Sequence, residues 1–120
     1  MAIVDKDSLA EVLGLPLQEK TVVYEGREYR LREMNEEQAV AYELDLQDKK
    51  GKFDVKKMRR TLIAHSWIGP DGERLITDSD QLKTMRRSLA GYLFDECQKL
   101  NRYESGELEG LVKNSEEAGS

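Results

Sequence analysis

The apolar residues do not keep one period along this chain, and the changes of period divide it into elements. The longest single pattern runs over residues 78–101. Leu82, Met85, Leu89, Leu93 and Leu100 fall on one narrow stripe if the chain turns about 100° per residue, with Tyr92 and Cys97 flanking it. Lys83, Arg87, Asp95 and Gln98 point the other way. Thr77, Asp78 and Ser79 offer capping oxygens, and Asp78 and Asp80 place negative charge at the positive end of the helix dipole. Lys99 and Arg102 place positive charge at the other end. The pattern predicts one long core helix. Arg86 and Glu96 lie close to its apolar stripe, so each must reach the rim by its stem or pair with a charge from another element.

Period two takes over in residues 21–32, which read as a β-hairpin turning at Glu25-Gly26. An even-length turn there pairs Val22 with Tyr29. Val22, Tyr24, Tyr29 and Leu31 then share one face, and Thr21, Val23, Glu28, Arg30 and Arg32 the other. A lone hairpin is marginal in water, so the apolar face needs a cover.

Before the hairpin, Ser8-Leu9-Ala10-Glu11 matches a capping box and predicts a short helix to Leu13, stopped by Gly14 and Pro16. Leu9, Val12 and Leu13 are expected to dock it on the core. After the hairpin, Asn35 and Gln38 form a second capping box, opening a helix over residues 35–49 with Met34 placed to staple onto Ala39. Ala39, Tyr42 and Leu46 make one stripe. Val40 and Leu44 make a second, displaced by roughly a third of a turn or more. Such a helix is either sandwiched inside the domain or offers one stripe to another subunit.

Lys49-Lys50-Gly51-Lys52 reads as a loop, and Asp54 caps a further helix expected over residues 55–67, with Val55, Met58 and Leu62 inward and Ile63 alongside. Gly69-Pro70-Asp71-Gly72 is the strongest turn signal, followed by an extended Arg74-Leu75-Ile76. Residues 103–112 carry a weaker helical pattern interrupted by Gly106 and Gly110. Residues 113–120 are polar and are expected to be a flexible tail beyond a single domain over residues 1–112.

Composition narrows the function classes. The 120 residues are 36% charged and 38% apolar with net charge −5, which suits one soluble, mainly helical domain and repels nucleic acid overall. No apolar run approaches the about 20 residues that span a bilayer, and the N-terminus lacks the features of a signal peptide. A single cysteine, Cys97, excludes an internal disulfide and a cysteine cluster for zinc. These features together predict an intracellular protein off the membrane.

Candidate chemistry is sparse. Cys97 and the single histidine, His65, are far apart in sequence, and His65 sits at the edge of a core stripe, where a structural role is expected. Asp71, Glu73, Asp78 and Asp80 do not fit calcium-loop spacing. No phosphate-binding glycine loop is present. The expectation is therefore no enzyme, no cofactor, no metal and no catalytic residue. The basic run of Lys49, Lys50, Lys52, Lys56, Lys57, Arg59 and Arg60 opposes the dipole at a helix start. It reads either as a solvated face or as an electrostatic contact for an acidic partner or phosphate, with Lys49, Lys50, Lys56, Lys57 and Arg60 as its candidate residues. No aromatics interleave with it as a nucleic-acid groove requires.

Several segments resemble the tail assembly chaperones of long-tailed bacteriophages. They are Gly26-Arg27-Glu28-Tyr29-Arg30-Leu31-Arg32, the Asn35 helix, Leu62-Ile63-Ala64 with Gly69-Pro70-Asp71-Gly72-Glu73, the helix ending at Leu100-Asn101, and Leu111-Val112-Lys113-Asn114-Ser115. The resemblance covers roughly residues 21–115 and leaves out the first twenty. It implies a small, mainly helical protein of the infected cell's cytoplasm. Such a protein coats the tape measure protein, keeps it soluble, recruits major tail (tube) subunits and is absent from the finished virion. Some members also exist in a longer, frameshifted form.

The sequence therefore predicts an α+β fold, mainly helical, with an N-terminal β-hairpin and a long amphipathic C-terminal helix. Its expected partners are tape measure and major tail (tube) proteins, with self-association into a ring or spiral as a further expectation. The candidate partner-binding residues are Val40, Leu44, Trp67 and Ile68, the last two extending the second stripe of the Asn35 helix. The alternatives are a virion structural subunit (tail completion or head–tail connector) and a small nucleic-acid-binding regulator using residues 49–60.

Overall fold

The computed structural model of the chain describes residues 2–103, and the expectations for residues 104–120 lie outside them. The fold is α+β. A three-stranded antiparallel sheet in the order β1-β2-β3 carries helices on one face. β1 (Glu19–Tyr24) and β2 (Arg27–Arg32) form the hairpin, with Val22 opposite Tyr29 as the alternation requires. Glu25 and Gly26 both take positive φ, 51° and 78°, the geometry that follows the right-handed twist of the strands. Val22, Tyr29 and Leu31 are buried on the inner face, while Val23 is 62% exposed on the outer one.

α2 (Glu36–Asp45) starts from the expected reciprocal cap: Asn35 accepts from the Gln38 N–H, and the Gln38 side chain accepts from the Asn35 N–H. Tyr42 and Leu46 face the core. The helix stops at Asp45, not near residue 49, because the chain folds back there. Gln47 bridges Phe53, and the Asp54 N–H donates to the Leu46 carbonyl.

α3 (Met58–Ser66) is the centre of the molecule. Seven of its nine residues are buried, because α2, α4 and the turn before α4 all pack on it. Asp54 does cap, but it caps a 3-10 turn over Val55–Lys57. That turn shifts the phase and leaves Val55 51% exposed, which corrects its expected place in the core. The helix also ends before Trp67. Trp67 and Ile68 are β3 (Trp67–Ile68), paired with Leu31 and Arg30 of β2. The turn at Gly69-Pro70-Asp71-Gly72 sets this. The Gly69 N–H donates to the Glu73 carbonyl and the Leu75 N–H to the Trp67 carbonyl, so the chain must arrive extended. Gly72, at φ 82°, closes the turn.

The expected helix over residues 78–101 is two pieces. A 3-10 turn, Ser79–Leu82, is capped by Asp78, and α4 (Arg87–Leu100) begins only after Arg86 has left helical geometry at ψ 133°. Arg86 instead reaches both carboxylate oxygens of Glu25 in the hairpin turn, at 2.6 and 2.8 Å. Leu93, Phe94 and Cys97 supply the buried face of α4, and Leu82 still reaches the core from the 3-10 turn.

The first helix also departs from expectation. α1 (Lys6–Leu13) starts before the expected Ser8–Glu11 box: Asp5 is the cap and Ser8 is the third helical residue reaching back to it, and the helix buries none of its residues. Leu9, Val12 and Leu13 are 46%, 42% and 77% exposed, so they do not dock on the core of this chain. The core is already closed over the hairpin by α4, which in turn packs on α3.

Candidate interaction surface

The outer face of α2 carries the first candidate surface. Tyr42 and Leu46 are fully or almost fully buried, whereas Val40 and Leu44 are 46% and 60% exposed. One helix thus presents two apolar stripes, of which only one is used internally among the described residues. Acidic residues surround the outer stripe in sequence: Glu36, Glu37 and Glu43. Trp67 and Ile68 do not extend it. Ile68 is buried, and Trp67 is half-buried with its ring 5.6 Å from that of Tyr29 on the inner face of the sheet. The helix expected to carry them outward has become a strand, which leaves Ile68 only 2% exposed.

The basic run does not form one patch. Lys49 and Lys50 lie on the loop held by Asp48, whose carboxylate accepts from the Lys50 and Lys52 N–H groups. That bonding, with the two lysine charges nearby, keeps the Asp48 carboxyl below its usual range. Lys56 and Lys57 lie on the 3-10 turn, and Lys57 lines a hollow otherwise formed by Asp45, Thr77, Asp78, Ser79 and Asp80. Arg59 is turned over the Phe94 ring, 5.8 Å from its centroid. Arg60 donates to the Lys56 carbonyl at 3.1 Å and stands 3.8 Å from Asp80. Lys57, Arg59 and Arg60, three of the seven side chains of the run, are therefore engaged within the chain or mixed with carboxylates, which interrupts the run as a stripe for a phosphate backbone.

His65 and Cys97 are structural. The His65 side chain is 5% exposed, and its Nε2 lies 2.7 Å from Asp45. Burial lowers its pKa, only partly offset by that hydrogen bond. Cys97 is fully buried, and burial pushes its thiol up to about 12, which removes it as a nucleophile. Among the described residues no group of His, Cys, Asp and Glu could hold a metal ion, and no helix is long and apolar enough to cross a membrane.

Two features escaped the sequence reading. One is the apolar surface of α1 and its flanks, whose period was visible but whose docking was misassigned. The other is a cavity of about 300 Å³ between the strands and the 69–75 turn, lined by Trp67, Ile68, Pro70 and Leu75 with Thr21, Glu28 and Arg30 at its side. It arises from the Gly69–Gly72 turn folding back beside β2, which no local period announces. No family model matches the chain, and no curated protein or solved structure does either.

Proposed function

We propose that this chain is a tail assembly chaperone of a long-tailed bacteriophage. It binds the tape measure protein in the host cytoplasm, keeps that long chain soluble, recruits major tail (tube) protein around it and leaves before the particle is complete. It performs no covalent chemistry and needs no cofactor. The observation that carries this reading is the outer stripe of α2. A chaperone for a helical client needs apolar surface that is reachable yet too small to drive its own aggregation, and Val40 and Leu44 offer that on a helix anchored by Tyr42 and Leu46. The resemblance of residues 21–115 to that family supplies the identity of the client.

The test is co-expression of the full chain with the tape measure protein of the same phage. The tape measure protein is expected in the soluble fraction only when this chain is present, and mass spectrometry of purified particles is expected to find no copy of it. A client that stays insoluble overturns the reading, and so does a chain that is retained in the particle.

A further inference from the structure

We propose that residues 104–112 of this chain dock on the hollow at the basic loop after α2, so that the acidic partner of that loop is the chain's own C-terminal segment. The receptor is built from the stretch that links α2 to α3. Asp48, Lys52, Phe53, Asp54, Val55 and Lys56 line an open hollow of about 390 Å³. Phe53 is half-buried and Val55 is 51% exposed, so the hollow offers apolar surface. Residues 48–56 carry four lysines against two aspartates, a net charge of +2. Both aspartates already hold backbone: Asp48 accepts from the Lys50 and Lys52 N–H groups, and Asp54 accepts from the Lys56 N–H. Among the described residues, Lys49, Lys50, Lys52 and Lys56 form no salt bridge. Apolar surface beside such cations fits an occupant that is apolar and acidic at once.

Residues 104–112 have that composition. Glu104, Glu107 and Glu109 give them a net charge of −3, and Leu108, Leu111 and Val112 supply the apolar groups. The chain also delivers them to the right side of the molecule. Arg102 takes positive φ, 59°, the left-handed conformation that ends a helix. The Tyr103 N–H closes the end of α4 by donating to the Gln98 carbonyl at 2.9 Å. Tyr103 rests against α2, its ring 6.2 Å from that of Tyr42. Leu46 lies about one turn, roughly 6 Å, further along the same helix. Its carbonyl holds the far end of the loop, accepting from the Asp54 N–H at 2.6 Å. Residues 104–108 span up to about 18 Å, so Leu108 reaches the hollow from Tyr103. The other apolar faces repel the same segment. α1 carries Asp5, Asp7 and Glu11 against Lys6, and the outer stripe of α2 is bordered by Glu36, Glu37 and Glu43. Once docked, the segment neutralises the loop, and a further acidic partner reaches Lys49, Lys50 and Lys56 only by displacing it.

This inference stands apart from the chaperone reading, and it is tested without a client, by thiol pairs in the full chain. Cys97 is buried with its thiol pushed up to about 12, so it does not compete. Leu108→Cys with Val55→Cys is expected to close a bond within one chain on mild oxidation. It should do so about tenfold or more faster than Leu108→Cys with Leu44→Cys or with Leu13→Cys, because docking raises the local concentration of the first pair alone. Val55, Leu44 and Leu13 are exposed, so each variant keeps the fold. The preference should shrink in about 1 M salt. Glu104→Lys with Glu107→Lys and Glu109→Lys should abolish it. Adding Lys49→Glu, Lys50→Glu, Lys52→Glu and Lys56→Glu to that chain should restore it. Equal rates for the three pairs would overturn the proposal, and so would a preference that survives the first charge reversal. A Leu108→Cys chain that couples to a separate Val55→Cys chain more readily than the doubly substituted chain closes on itself would assign the segment to a second copy and overturn it as well.

Discussion

Lys20 of β1 and Glu96 of α4 meet at 2.5 Å although 76 residues separate them. Lys20 lies on the inner face of the hairpin, opposite Leu31, where alternation would place an apolar residue. Glu96 lies beside the apolar stripe of α4 with its side chain 11% exposed. Each is out of pattern alone, and each supplies the reason for the other. Lys99 adds a second cation 3.5 Å from the other Glu96 oxygen. Arg86 and Glu25 form the equivalent clamp at the far end of the hairpin, so two ion pairs fix the helix across the strands.

The hydrogen bond from Lys20 holds the Glu96 carboxyl below its usual 4.5, against the opposing effect of burial. A depressed folded pKa stabilises above the unfolded value and is lost as pH falls through the folded one. Glu96→Gln should therefore cost about 1 kcal/mol at pH 7. The difference from wild type should narrow as pH drops below 4.5. Urea denaturation of both proteins at pH 7 and pH 3.5 measures it, and a gap of equal size at both pH values would show that the carboxylate charge is not the source.

Asn101 joins three elements at the end of α4. Its Oδ1 accepts from the Met34 N–H at 2.7 Å, and its Nδ2 donates to the Ser66 hydroxyl at 3.0 Å and the Cys97 carbonyl at 2.9 Å. Ser66 is fully buried. Asn101→Ala leaves these groups without that partner and is expected to destabilise by about 1–3 kcal/mol. Asn101→Asp keeps the acceptor for Met34 but loses the donor. Chemical denaturation should rank wild type above both variants, and an unchanged midpoint in Asn101→Ala would show that the network contributes nothing.

Burial keeps His65 neutral, with its folded pKa below the ordinary 6.5. Asp45 opposes this shift through its hydrogen bond, Arg74 reinforces it, and the Tyr42 ring packs edge-on at 5.9 Å. The unfolded chain thus takes up a proton first as pH falls. The stability that depends on neutral His65 is present above pH 6.5 and is lost as pH drops below it. The melting temperature of wild type is expected to fall more between pH 7.5 and 5.5 than that of His65→Gln. Parallel curves would mean that His65 titrates as it does in the unfolded chain.

What the sequence disclosed is what local pattern decides. The hairpin register follows from period two and a Glu-Gly turn, and the start of α2 follows from Asn35 and Gln38 three residues apart. The break before α4 is not local. At the break Arg86 pairs with Glu25, 61 residues away, and the apolar period over 78–101 continues through it. β3 has two residues, too few to show any period, and it exists because the following turn sends the chain back along it. For α1 the period was correct and the inference from it was not. Amphipathicity shows that a helix face is apolar but not what covers it. The same limit applies to α2, where a second stripe left two readings open and the exposure of Val40 and Leu44 favours the one with a free face.

That free face makes the sharpest test of the proposed function. Val40 and Leu44 are spaced four apart on a helix whose inner side is filled by Tyr42 and Leu46, so they add little to the core. Val40→Ser with Leu44→Ser removes the outer apolar stripe and keeps the helix caps and the inner residues. The double variant is expected to lose no more than about 1 kcal/mol, most of it helix propensity. If the proposed function holds, co-expressed tape measure protein should nevertheless move from the soluble to the insoluble fraction, because it loses the apolar anchor while this chain stays folded. Circular dichroism melting and a solubility assay on the same preparations separate the two effects. A variant that melts far below wild type would place both residues in the core and remove the surface. A fully stable variant that still keeps the client soluble would move the binding site elsewhere on the molecule.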